Sequence, residues 1–245
     1  MILKRKIYKK LLEWKNECQG KKALLIEGAR RIGKSTICEE FGKNEYESYL
    51  LIDFAKKDKE VERYFERYLN DLDTFFMLLQ THFGTKLTER NSLIIFDEVQ
   101  MFPQARAAIK YLVADGRYDY IETGSLISIR ENVKNIVIPS EERNINMYPL
   151  DFEEFAIALE EDLLVEYIKK CFEKREPLER SMHNQAMLLF HQYMLVGGMP
   201  MPVVAFIESK KDFTEPDKEK RDILKLYRED IMKIDMRYRS KVLAI

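Results

Sequence analysis

The apolar residues of this chain keep two rhythms. Up to Tyr148, short unbroken apolar runs alternate with stretches in which apolar side chains return every three or four positions. The runs Ala23 to Ile26, Tyr49 to Phe54 and Leu93 to Phe96 predict strands at 23–27, 49–54 and 93–97, and Tyr118-Asp119-Tyr120-Ile121-Glu122 is read as a further strand at 118–122. A run of this kind suits a strand buried on both faces. The helical rhythm predicts helices over 4–18, 34–43, 60–83 and 104–115, the third with a break near Asn70-Asp71. Its stripe of Tyr64, Phe65, Tyr68, Phe75 and Phe76 reads as core rather than as a stacking platform. Residues 126–144 show only the short run Ile136-Val137-Ile138, and Ile145 to Tyr148 is a candidate fifth strand closed by Pro149. Beyond Pro149 the strand rhythm stops. Helices are expected over 151–172 with Asp151 as N-cap, and over 184–195, 201–208 and 221–235. A turn at Gly197-Gly198-Met199-Pro200 and a charged loop from Lys210 to Lys220 separate them. The pattern predicts an α/β domain over 1–148 and a helical region over 149–245.

The candidate chemistry lies where the strands end. After the first strand comes Gly28-Ala29-Arg30-Arg31-Ile32-Gly33-Lys34-Ser35-Thr36, then a helix. Gly-x-x-x-x-Gly-Lys-Ser between a strand and a helix is the phosphate-binding loop, or Walker A motif. Its backbone N–H groups can converge on an anion, and the helix adds its positive dipole end. Lys34 would reach the β- and γ-phosphates, Ser35 would ligate Mg²⁺, and Thr36 is placed for the α-phosphate. Asp97-Glu98 follows the third strand in the Walker B pattern, 63 residues after Lys34. Asp97 would hold Mg²⁺ and Glu98 would polarise the attacking water. Thr123 or Ser125, after the fourth strand, could sense the γ-phosphate; a plain Thr-Gly-Ser turn is the other reading. Asp53 could face the site or merely start a loop. Arg5 and Tyr8 could lie beside the nucleotide base, or belong to an ordinary packing helix anchored by Trp14. Arg143 could be an arginine that reaches a neighbouring subunit, or a surface charge.

Composition narrows the classes. Charge is nearly balanced at a formal −1, so bulk positive charge does not indicate a nucleic-acid grip. Three widely spaced cysteines, Cys18, Cys38 and Cys171, argue against a disulfide framework or a zinc site. The chain has neither an 18-residue apolar run nor the apolar core of a signal peptide near its start, so no membrane contact is expected and a cytoplasmic location is.

Several fragments together resemble one family, bacterial and archaeal AAA+-type ATPases. In it a P-loop domain precedes a helical region and, usually, a restriction-endonuclease-like C-terminal domain. The matching residues are Arg5, Tyr8, Leu12 and Trp14; the loop from Gly28 to Thr36; Asp97-Glu98-Val99-Gln100; Thr123-Gly124-Ser125; Tyr148 to Phe155; Gly197-Gly198 with Pro200; and Tyr227-Arg228 with Asp230-Ile231. The resemblance implies a P-loop NTPase with a parallel five-stranded sheet between helices, and a small helical lid-like or winged-helix-like region. It also implies ATP with Mg²⁺ as cofactors. Two departures stand out. Glu142-Arg143 replaces a Gly-Arg pair, and the chain ends on the apolar run Val242 to Ile245, from which a truncated chain lacking the C-terminal domain is expected. An ATPase driving or switching an effector region is the leading expectation. The alternatives are a non-hydrolysing ATP-binding module that binds protein or DNA, and a small-molecule or nucleoside kinase, which Glu98 and the intervening strand disfavour. A homo-oligomer is left open.

Overall fold

The structure is a computed structural model that describes residues 1–125 and 140–231. The run Ile136 to Ile138, the end of the helix expected over 221–235, and the apolar ending lie outside the described residues. Five strands form one sheet: β1 (Ala23–Glu27), β2 (Ser48–Asp53), β3 (Ser92–Asp97), β4 (Asp119–Gly124) and β5 (Glu142–Asn146). Their order is β2-β3-β4-β1-β5, and every adjacent pair is parallel. α1 (Ile7–Cys18) precedes β1, and between the strands run α2 (Lys34–Glu45), α3 (Lys59–Tyr68), α4 (Leu72–Phe83) and α5 (Pro103–Asp115). Parallel strands need crossovers, and helices on both faces explain why β3 and β4 are buried at every position.

The aromatic stripe is core. Phe65 of α3 meets Phe75 of α4, Phe54, Phe96 and Phe102 edge-on, and Phe54 stacks on Phe102, with ring centroids 5.0 to 5.8 Å apart. The break in this stretch falls at Asp71, whose carboxylate caps α4 by accepting from the Thr74 N–H at 3.2 Å. In a second buried group, Trp14 of α1, Phe41 of α2 and Tyr46 pack ring against ring.

β5 begins three residues earlier than its apolar run suggests, because its first residue is a buried acid. Glu142 makes a two-pronged ion pair with Arg106 of α5, Nε to Oε2 at 3.1 Å and Nη2 to Oε1 at 2.8 Å. Glu122 of β4 is buried in the same cluster, and neither of its carboxylate oxygens makes a hydrogen bond. Burial first, and then the neighbouring Glu142 charge, push the Glu122 carboxyl well above the usual carboxylate range, with Arg106 opposing.

By compactness the chain divides into a unit over Arg5–Tyr148 and a second that combines Met1–Lys4 with the chain from Pro149 onward. In the second unit the described elements are helices: α6 (Phe152–Ala158), α7 (Asp162–Lys174), α8 (Arg180–Val196), α9 (Pro200–Glu208) and α10 (Thr214–Ile231). The helix expected over 151–172 is two helices, split where Glu160 takes a left-handed φ of 63°. Asp151 and Glu154 cap α6 reciprocally. The charged loop expected up to Lys220 is shorter, because Pro216 sits in the first turn of α10, where its missing N–H costs no helical bond. Phe155, Leu189, Val196, Val203 and Phe206 form this unit's core.

Candidate phosphate-binding site

Parallel strands put all their carboxyl ends on one edge of the sheet, where ligands of open α/β sheets bind. Along this edge β3, β4 and β1 are neighbours. They deliver Asp97, Thr123 and the loop after Glu27 side by side. The loop runs from Gly28 to Gly33, and α2 starts at Lys34. Gly33 takes φ 90°, a conformation that glycine adopts without strain. Gly28 is needed for closeness: a Cβ there would lie 2.4 Å from the Met147 carbonyl oxygen. Ile32 is wholly buried under the loop, whereas Ala29, Arg31 and Thr36 are exposed. The N-terminus of α2 therefore points its first N–H groups and its positive dipole end at the loop's concavity.

Lys34 folds over this loop. Its Nζ donates to the carbonyls of Gly28 at 3.1 Å and Ala29 at 2.8 Å. Burial pushes its amine below the usual lysine value, while Glu98 and Asp97 pull it back up. The Ser35 hydroxyl lies against Asp97, 2.7 Å from Oδ1 and 2.8 Å from Oδ2. Thr123 donates its hydroxyl proton to the same carboxylate and accepts the Glu98 N–H at 3.3 Å. Of the two hydroxyls expected after β4, Thr123 is thus the one bonded to Asp97, and Ser125 is buried just past Gly124. Glu98 is held at a left-handed φ of 52°, and its carboxylate accepts from the Gln100 amide. A hydroxyl, a buried carboxylate and a lysine amine converge here. Hard oxygen ligands of this kind suit Mg²⁺, which keeps several waters and one or two protein ligands.

Residues 20–156, more than half of the chain, match a family model described as AAA domain. The chain belongs to that family. No curated protein matches it. Among solved structures, that of C. elegans PCH-2 matches at 12% identity and a TM-score of 0.38. That alignment covers 93% of this chain and 65% of PCH-2, so this chain spans less than two thirds of its length. So slight a likeness adds nothing to the fold traced above. Family membership makes the chain an AAA-type P-loop protein, with nucleotide binding and ATPase activity as the family's general character.

Within this AAA domain the remaining candidates fall into two groups. Arg5 and Tyr8, expected beside a nucleotide base, have protein partners. The Arg5 guanidinium donates to the carbonyls of Ile32 at 3.0 Å and Tyr148 at 2.6 Å. The Tyr8 hydroxyl donates to Glu45 at 2.7 Å, and burial with that carboxylate pushes the phenol up to about 12. Asp53 starts a loop: its carboxylate accepts the Ala55 N–H at 3.0 Å. Arg143 is an exposed strand residue paired with Glu17 at 2.6 Å. Sequence reading missed two groups. Gln100, on the short turn after Glu98, was visible only as part of a resemblance. The Arg106–Glu142–Glu122 cluster had no local signal, because its members are distant in sequence. Among the described residues no helix is long and apolar enough to cross a membrane, and no three or more His, Cys, Asp and Glu side chains gather as a metal-binding group, which leaves the mixed hydroxyl and carboxylate pair of Ser35 and Asp97.

Proposed function

We propose that the chain binds ATP with Mg²⁺ and hydrolyses it with water as the nucleophile, and that nucleotide state switches or drives an effector region. The observation that best supports this reading is the convergence of Ser35, Asp97 and Thr123 beside Lys34 at one sheet edge. In the proposed mechanism the loop amides from Ala29 to Lys34 and the start of α2 bind the phosphates. Lys34 exchanges its two loop carbonyls for phosphate oxygens, trading neutral acceptors for charged ones. Ser35 and Asp97 are the residues that would hold Mg²⁺, which would neutralise phosphate charge when bound. Thr123 fixes the Asp97 carboxylate and the Glu98 backbone at once. Glu98 orients a water and takes its proton, and the Gln100 amide restrains the carboxylate that must do so. We assign this chemistry to residues 1–148 and a responding, lid-like role to 149–245.

Transition-state charge on the γ-phosphoryl calls for a further cation. Arg143 is engaged with Glu17, so basal turnover is expected to be slow, and an arginine from a second copy or a protein or DNA partner would raise it. Glu98→Gln separates hydrolysis from binding. It should lower turnover on the order of 100-fold or more while ATP still binds. Lys34→Ala should weaken ATP binding; unchanged affinity and turnover in that variant would overturn the reading. Phosphate transfer to an acceptor with no free phosphate released would replace it with a kinase.

A further inference from the structure

The phosphate loop is bolted to one short stretch of chain, residues 147–148. The Met147 N–H donates to the Glu27 carbonyl at 2.8 Å, at the point where β1 becomes the loop. The Met147 carbonyl fills the space where Gly28 would carry a Cβ. The third fastening is Arg5, whose planar fork spans the Ile32 carbonyl in the loop and the Tyr148 carbonyl. The positions of these residues along the chain matter. The chain passes from one compact unit to the other at two places, Lys4–Arg5 and Tyr148–Pro149. Arg5 stands at the first crossing and bonds the last carbonyl before the second, while its other prong holds the loop.

We propose that Arg5 is a positioning residue that ties the conformation of the phosphate loop to the chain connection at Tyr148–Pro149. The proposal rests on the reading that the loop takes a nucleotide's phosphates. When the Gly33 N–H turns toward an anion, the Ile32 carbonyl in the same peptide unit must turn with it, because a peptide unit rotates as a plane. That carbonyl is an Arg5 acceptor, so the guanidinium shifts or lets go. Its rigid geometry carries the change to the Tyr148 carbonyl. A lysine has the charge but not the rigid planar fork, so it does not hold the two carbonyls in a fixed geometry relative to each other. A side chain that merely braced the fold would stabilise both states equally and transmit nothing.

The test is hydrogen exchange of the peptide 145–152 in the full chain, with and without saturating AMP-PNP and Mg²⁺. Binding is measured separately with a fluorescent ATP analogue. In wild type the exchange rate of this peptide should change by about threefold or more when nucleotide binds. Arg5→Met and Arg5→Lys should still bind the analogue, more weakly, and lose that change. If Arg5→Met does not fold, Arg5→Lys decides alone. A response of wild-type size in the folded variants overturns the proposal, as does a wild-type chain that binds nucleotide without any response. A wild-type chain that binds no nucleotide defeats the phosphate-loop reading itself, and the binding assay identifies that outcome by itself.

Discussion

Replacing Glu122 with glutamine should make the protein more stable at neutral pH and leave it nearly unchanged in acid. Glu122 is fully buried on β4 and its carboxylate oxygens make no hydrogen bond; Arg106 gives Nε and Nη2 to Glu142, and its Nη1 is buried without a partner, so one cation faces two acids. A second ionised acid here would leave the cluster with a net negative charge out of water, so Glu122 keeps its proton in the fold. Its folded pKa is raised well above the ordinary 4.5. The sign follows from proton counts. Below the ordinary value both folded and unfolded chains are protonated there, and the contribution is fully present. As pH rises, the unfolded chain releases the proton first and gains free energy, so stability falls until the folded pKa is reached. The loss is about 1.4 kcal/mol per pH unit. From an unfolded value of 4.5 to about pH 7, it amounts to at most about 3.4 kcal/mol. Glutamine has the same shape and no such loss. Urea unfolding at about pH 5 and about pH 7.5 should give nearly equal wild-type and Glu122→Gln stabilities at the lower pH, with the variant ahead at the higher. A wild-type-to-variant difference that does not change with pH would refute the reasoning, as would a variant less stable throughout.

Two further outcomes follow from the site. Ser35→Ala removes the hydroxyl that lies on both Asp97 oxygens and should cut the Mg²⁺-dependent part of nucleotide affinity roughly 10- to 100-fold. Calorimetric titration with and without Mg²⁺ reads this, and an unchanged Mg²⁺ effect would remove Ser35 from the metal's ligands. Gly28→Ala puts a Cβ 2.4 Å from the Met147 carbonyl oxygen and 2.5 Å from Ile32 Cδ1, so backbone must move. We expect a loss of about 1–3 kcal/mol by urea unfolding together with weakened nucleotide binding; a variant of wild-type stability would contradict the close approach.

Much of this molecule is legible in its sequence because its central strands are buried on both faces. β1 and β3 have few polar interruptions, β4 keeps Tyr120 and Ile121 among Asp119, Glu122 and Thr123, and the loop's two glycines and lysine fall at fixed spacing between a strand and a helix. β5 is an edge strand that starts on a charged pair, Glu142 and Arg143, so its apolar signal is weak and late. Glu142 is buried only because Arg106, 36 residues earlier, meets it. Such a pairing needs the sheet order, which no local pattern contains. The same holds at the loop. The spacing of Gly28, Gly33, Lys34 and Ser35 points to phosphate, but Arg5, just before α1, could be read either as a base contact or as part of a packing helix. Only the fold puts it between the Ile32 and Tyr148 carbonyls. In the helical unit, the break at Glu160 was hidden by apolar residues that continue the rhythm across it, and Pro216 suggested a loop where it opens a helix.

The measurement that tests the central claim most directly is phosphate release from ATP and Mg²⁺ by wild type and Glu98→Gln, with and without DNA, alongside ATP binding by both. The account predicts slow turnover in wild type, a fall on the order of 100-fold or more in the variant, and ATP affinity kept in both. Turnover that survives in Glu98→Gln would take the water-activating role away from Glu98. ATP bound tightly by a wild type that releases no phosphate under any condition would contradict hydrolysis and leave a nucleotide-binding module.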